Sequence, residues 1–350
     1  MKTSVAQIAK KAGVSVSSAY GILSDPDSPR FQEATRKRVL EASRELDYRP
    51  HTAARAVRTG RFDCVTLLLS TAHKHSYLPN RLLYGIYDEL CRKNIHLTIA
   101  RLSDEMLTNE EYMPKILRYQ MADGLLVDYT DYMPSQMDEI IQRFELPVVW
   151  VNAKRDCCCV YPDSFSAGVQ ATEYLLKMGH RRIAFVDYQT SPDDVTGIHF
   201  SKIDRCKGYE SAMQQAGLQT RIIRPKSAIK QYMEEMAYIR DWIQKPDRPT
   251  AIVTYWVASA LPVLQCAWSC GLRVPQELSI ITFNSELFGS DILRESGLCI
   301  TSMVEPDFDM GLSAAQMMIK KIEKPLVEIP ARKLEFTLED FGTCCTPDKK

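Results

Sequence analysis

Apolar and polar positions follow two different rhythms along this chain. Near the start the spacing is helical: Val5, Ile8, Ala9 and Ala12 fall at i, i+3, i+4 and i+7, one face of a short helix. Ser4 stands where an N-cap belongs, and Gln7, three residues on, gives the spacing of a capping box. Gly13 breaks the helix, and Ser15 offers the N-cap of a second one over about 16–24. After the turn-rich stretch SDPDSPR, a third helix is expected over 33–46, with Val39, Ala42, Ser43 and Leu46 inward. Tyr48-Arg49-Pro50 ends it, because the residue before a proline avoids the α region. Two short helices around a tight glycine turn are the layout of a helix-turn-helix, although an αα-hairpin in a larger core would read the same way.

From about residue 62 the rhythm changes. Apolar, β-rich runs at 64–70, 96–102, 124–129, 147–152, 182–188, 251–255, 279–283 and 299–304 predict strands. Helical stretches are expected between them at 80–93, 109–119, 135–144, 166–178, 207–216, 231–244, 258–270 and 307–323. Apolar strands alternating with helices predict parallel sheets covered on both faces. Two such sheets in tandem leave a cleft at their strand ends, where open α/β folds bind ligands.

Charge separates the same two regions. The 350-residue chain is neutral, yet residues 1–61 hold twelve Lys and Arg against six Asp and Glu, giving +6 and leaving −6 on the remainder. A basic head on an acidic body implies that one part meets a polyanion and the other does not. The start, MKTSVAQIAKK, lacks the apolar core of a signal peptide, and no apolar run is long enough to span a membrane, so a cytoplasmic protein is expected. The eleven cysteines include Cys157-Cys158-Cys159 and Cys344-Cys345; adjacent thiols point apart and chelate poorly, so neither a metal site nor a cofactor is predicted. No phosphate loop, G-x-S-x-G elbow, HExxH or dinucleotide fingerprint is present, which argues against an enzyme and leaves the catalytic list empty. A bare solute binder would have no use for residues 1–61.

Four blocks of the head carry a family resemblance. They are Ile8-Ala9 with Ala12-Gly13-Val14-Ser15, then Thr35-Arg36-x-Arg38-Val39, then Leu46-x-Tyr48-Arg49-Pro50, then Ala53-Ala54-Arg55-Ala56-Val57-Arg58-Thr59-Gly60-Arg61. In order and spacing they closely resemble the LacI/GalR transcription regulators. Body segments such as Gly179-His180-Arg181-Arg182-Ile183, Arg205-x-x-Gly208-Tyr209 and Gly271-Leu272-Arg273-Val274-Pro275 extend the resemblance over nearly the whole chain. It implies an all-α helix-turn-helix head at 1–50 and a hinge at 51–61. An α/β, periplasmic-binding-protein-like body at 62–340 would follow, made of two discontinuous Rossmann-like subdomains crossed three times by the chain, with a short tail at 341–350. The partners it implies are double-stranded DNA at a pseudo-palindromic operator, a second copy of the chain, and a small-molecule effector, by family habit a carbohydrate. Repressor is the commoner role; an activator, or a regulator without an effector, is the alternative.

By the same resemblance, DNA contacts fall on Ser4, Ser15, Val16, Ser17, Ser18, Tyr20, Gly21 and Arg36, and on His51, Ala54, Arg55, Val57 and Arg58 of the hinge. Val57 stands where relatives insert leucine into the minor groove. Gly21 and Tyr20 replace a usual arginine and serine, so an operator unlike the common half-site is expected. Tyr20 fits an inward position equally well. Gln32 replaces a usual Ser/Thr cap. For the effector, the matching positions are Asp163 (ten residues before Glu173), Arg205 and Asn284; Tyr255 and Trp256 offer faces that stack on sugar rings and bases, and His73, after the first strand near the expected cleft mouth, is placed to touch a ligand or a partner subunit. Trp256 and Val257 stand where relatives have Asn-Asp, and Asn284-Ser285 where they have Asp-Asp, so two sugar-binding carboxylates are missing. A core role for Trp256 reads equally well.

Overall fold

The computed structural model describes residues 3–25, 28–48, 60–71, 76–102, 114–119, 121–129, 137–143, 146–188, 198–227, 229, 231–285 and 298–348. Two compact units result, Met1–Phe62 and Asp63–Lys350.

The first unit is three helices: α1 (Val5–Ala12), α2 (Val16–Ser24) and α3 (Glu33–Glu45). Ser4 and Gln7 close the expected capping box on α1, and Gly13 ends it in the left-handed region at φ 65°. Ser15 caps α2 by accepting from the Ser18 amide at 3.0 Å. Ile8, Ala9, Ala12, Ala19, Ile22, Val39 and Ala42 form the core, and Tyr20 is only half-buried at its edge. Gln32 sits at the N-cap of α3 without a side-chain bond to the helix. Gln32→Thr is therefore expected to stabilise the head by about 1 kcal/mol; a Tm for residues 1–62 that stays level or drops would show that those amides already have partners.

The second unit opens with β1 (Cys64–Ser70), α4 (Asn80–Arg92), β2 (His96–Leu102), α5 (Lys115–Arg118), β3 (Gly124–Asp128), α6 (Met137–Arg143), β4 (Val148–Val151) and β5 (Cys159–Pro162). It continues through α7 (Ser164–Lys177), β6 (Ile183–Val186), α8 (Phe200–Gln215), β7 (Ile222–Ile223), α9 (Tyr232–Ile243), β8 (Ala251–Thr254), α10 (Val257–Ser269) and β9 (Ser279–Ser285). It ends with β10 (Ser302–Glu305), α11 (Asp307–Glu323), β11 (Arg332–Leu334) and β12 (Thr337–Glu339). Two six-stranded sheets form, in the orders β11-β5-β4-β3-β1-β2 and β12-β10-β9-β8-β6-β7. All pairings are parallel except β10 with β12. The chain passes between the sheets three times: after β5, after β10 and between β11 and β12. Each sheet buries apolar clusters on both faces, as continuous apolar strands require.

Helices over each sheet pack on one another through glycine. On the first sheet, a Cβ at Gly85 of α4 would lie 2.2 Å from the Phe308 carbonyl oxygen, and one at Gly311 of α11 would lie 2.1 Å from that of Leu82. On the second, a Cβ at Gly208 of α8 would lie 2.3 Å from the Phe165 carbonyl oxygen, and one at Gly168 of α7 would lie 2.4 Å from that of Arg205.

The segment after residue 341 is built into the body rather than hanging free. The Ile280 amide donates to the Thr343 carbonyl at 2.8 Å and the Thr343 hydroxyl to the Ile280 carbonyl at 2.7 Å, with Cys344 buried in the second sheet's core. Buried His180 clamps this join. Its Nε2 lies 2.8 Å from the Cys345 carbonyl, which can only accept, so Nε2 carries the proton and Nδ1 is left to accept from Thr250 at 3.0 Å. Burial pushes the ring's pKa down, against the Cys345 carbonyl that raises it. An unfolded imidazole takes up its proton more readily, so stability falls as pH drops below the ordinary histidine range. The body's Tm should be lower at pH 5.5 than at 7.5, with a smaller difference in His180→Gln; equal differences in the two proteins would remove His180 from this role.

Candidate operator and effector sites

Capping and burial decide which face of the head is presented. Ala19 and Ile22 turn inward, which leaves Val16, Ser17 and Ser18 at the start of α2 on the outer side, Val16 53 % exposed. Ser15 and Ser18 share their hydroxyls at 2.8 Å, so part of that surface is pre-arranged. Ser4 is exposed at the start of α1, where its amide is held by Gln7. Lys10, Arg38 and Lys37 are exposed cations on the same unit.

Two expected DNA positions take other roles. Gly21 lies under the Phe31 ring: an added Cβ would be 2.7 Å from it, so this position makes room for the loop instead of projecting toward bases. Arg36 is half-buried and donates to the Phe31 carbonyl at 3.2 Å and the Ser28 carbonyl at 3.4 Å. It holds the α2–α3 loop down and is poorly placed to neutralise a phosphate. The hinge positions His51, Ala54, Arg55, Val57 and Arg58 lie outside the described residues, as does His73 of the body.

In the second unit the carboxyl ends of the strands bring polar side chains together, as the parallel topology demands. Arg205, on α8, is 1 % exposed. Its Nη1 donates to the Tyr255 carbonyl at 3.0 Å and its Nη2 pairs with the Glu305 carboxylate at the end of β10. Four rings surround the guanidinium: Phe283 at 4.5 Å, Tyr255 at 5.2 Å, and Trp256 and Phe336 at 5.5 Å. Burial raises the Glu305 carboxyl above its ordinary value while Arg205 pulls it back. Glu305 also borders a cavity of about 530 Å³ where the chain crosses between sheets beside Asn80, Arg81, Pro306 and Glu335.

Tyr255 turns its hydroxyl to Ser201 at 3.2 Å. Trp256 stands at the N-cap of α10 and is half-buried against the core; its ring meets that of Tyr77, which follows β1, edge-on at 6.1 Å. Thus the pair spans the two sheets. His199 adds another link, with Nε2 2.9 Å from the Asn152 carbonyl. Asn284 is 3 % exposed and its Oδ1 has no hydrogen-bond partner among the described residues. Asp163 departs from its expected effector role. It caps α7 by accepting from Ser166 and pairs with Lys333 at 2.6 Å; burial pushes its pKa up, but these bonds outweigh it and hold the carboxyl below its usual value. Sequence reasoning missed Glu305, Tyr77 and Asp128. Only the fold brings Glu305 to Arg205, Tyr77 to Trp256, and the Asp128 carbonyl to Ser76 beside Tyr77, and no local spacing signals it.

A helix-turn-helix head joined to a doubly wound, twice-sheeted body defines a DNA-binding regulator with a ligand-sensing domain. The profile described as bacterial regulatory proteins, lacI family, matches residues 4–51, and that of the periplasmic binding protein-like domain matches residues 172–339. The chain belongs to the LacI/GalR family of transcriptional regulators. It is 27 % identical over 352 residues to the HTH-type transcriptional regulator RegA of Clostridium saccharobutylicum, covering 97 % of this chain and 98 % of that one. It is 26 % identical over 343 residues to the ribose operon repressor of Escherichia coli, covering 96 % and 98 %. In fold it is similar to the lac repressor dimer bound to operator and the anti-inducer ONPF, with a TM-score of 0.76, 16 % identity and coverage of 99 % and 100 %. Among the described residues no helix is long and apolar enough to cross a membrane.

Proposed function

We propose that this chain is a cytoplasmic transcriptional repressor, acting as a homodimer on a pseudo-palindromic operator and controlled by a small molecule at the strand-end cleft of its body. The observation that carries the reading is the exposed start of α2, with Val16, Ser17 and Ser18 outward on a doubly capped helix-turn-helix. A helix so presented enters the major groove with its first residues against base edges. Segment 51–61 would add minor-groove contacts through His51, Ala54, Arg55, Val57 and Arg58. The relatives' names favour repression, and the anti-inducer in the lac repressor structure favours control by a small molecule. Tyr84 and Tyr87 of α4 are 53 % and 55 % exposed and Ile99 of the edge strand β2 is 51 % exposed, an apolar surface suited to a second copy. The three crossings give a ligand the leverage to change the angle between subdomains, and coupling makes the effect on DNA and ligand affinity reciprocal.

Selection of binding sites from random DNA tests this reading. A two-fold symmetric site lacking the common family half-site is expected, because no arginine stands at position 21 and Phe31 covers it. Recovery of the common half-site would sink the operator prediction, and no enrichment at all would sink the DNA-binding role.

A further inference from the structure

We propose that the ligand of this cleft is a ring compound bearing an amine, such as an amino sugar or an amine-bearing nucleoside, and not a sugar acid or sugar phosphate. This rests on the small-molecule control argued above. The first ground is that the anion-binding fork is already occupied. Both terminal nitrogens of Arg205 are engaged, one by the Tyr255 carbonyl and one by Glu305; its Nε has no hydrogen-bond partner among the described residues but is buried within the surrounding rings. An anionic ligand would have to displace an internal carboxylate from a buried pair.

The second ground is the set of polar atoms left over. Asp128, the last residue of β3, is fully buried and neither carboxyl oxygen has a hydrogen-bond partner among the described residues; Asn284 Oδ1 is in the same condition near the end of β9. The Asp128 carbonyl receives the Ser76 hydroxyl, and the next residue, Tyr77, crosses to Trp256. Asn284 Oδ1 can only accept, and the Asp128 carboxyl, which burial holds well above its ordinary value, accepts at both oxygens once a cation restores its charge. Buried polar groups without partners are rare in folded proteins and call for an explanation. An ammonium or amine supplies donors to such a floor, and an ammonium brings no competing lone pair.

Charge points the same way. Among the described residues, three buried acids at the strand ends are paired with cations, Glu305 with Arg205, Asp187 with Arg224 and Asp163 with Lys333, and Asp128, shifted upward by burial alone, is left in excess. A cation offsets the excess and an anion adds to it. The half-exposed Tyr77–Trp256 pair offers ring faces and edges to a cyclic, cationic ligand.

The test is a thermal-shift series on the full-length protein with glucose, glucosamine, gluconate, glucose 6-phosphate, adenosine and inosine, read with operator binding on the same samples. Glucosamine or adenosine should raise the Tm more than its amine-free counterpart, and gluconate and glucose 6-phosphate should leave it unchanged. A larger shift from either anion overturns the proposal, and so does a series in which no amine shifts the Tm. Asp128→Asn should raise the ligand-free Tm, because it removes an unpaired acid, and should weaken binding of the amine about tenfold. Undiminished amine affinity in that variant overturns it; should the variant fail to fold, Asn284→Ala carries the same comparison. An anion that releases operator would leave the regulator reading intact and sink the amine. An amine that binds without altering operator affinity would keep the ligand class and sink small-molecule control.

Discussion

Glu305→Ala is expected to destabilise the body by about 3–5 kcal/mol, because it strands the Arg205 guanidinium in the interior without its counter-charge. The side chains are 1 % and 8 % exposed, so water cannot step in. Urea unfolding followed by tryptophan fluorescence measures this, since Trp150, Trp242, Trp256 and Trp268 all lie in the body. The double variant Arg205→Met with Glu305→Leu should recover most of the loss, since apolar replacement of a buried ion pair is often neutral or favourable. A single variant within about 0.5 kcal/mol of the parent would mean that the pair is not desolvated at all. The double variant also separates stability from control: it should fold, bind operator and respond differently to ligand.

Gly168→Ala and Gly208→Ala should each destabilise the body by about 1–3 kcal/mol. In an ordinary helix this exchange stabilises by up to about 1 kcal/mol, so the sign alone is decisive. The reversal comes from backbone meeting backbone: the new methyl would press on the Arg205 or Phe165 carbonyl oxygen, and neither can rotate away. Circular dichroism melts of the two variants would check it, and a raised Tm in either would show that the α7–α8 approach is looser than described. Gly168 has a further reach, since the carbonyl it touches belongs to the residue whose guanidinium meets Glu305.

Much of this architecture is legible in the sequence, for identifiable reasons. The capping signals at Ser4, Gln7, Gly13 and Ser15 fix the head helices because each acts within one turn. Strands β1 and β2 fall where the apolar runs place them, and α11 where the helical spacing does. Strands β5, β7, β11 and β12 escape notice. They are two to four residues long, and β12 has all three residues exposed, so no apolar run marks them. Helix α8 begins at Phe200, ahead of the expected 207, because its first turns face Tyr161, Asn152 and Asp204's partner Lys154 across the crossing instead of a continuous apolar core. The sites divide in the same way. Exposure at the start of α2 follows from local periodicity, whereas the fate of Arg36, Gly21, Asp163 and Arg205 depends on Phe31, Lys333 and Glu305, which only the folded chain brings close.

The docking of Thr343 and Cys344 against β9 bears on the order of synthesis. Residues that complete each sheet are made long after those that begin it: β11 joins a sheet begun at residue 64, and residues 343–345 seal one begun at residue 183. The head, with its own core, is whole long before either. A message cut short between residues 62 and 340 would thus yield a DNA-reading unit with no finished sensor behind it. Such a fragment would lack the paired heads that make operator binding tight, so incomplete translation weakens the regulator instead of freeing it from control.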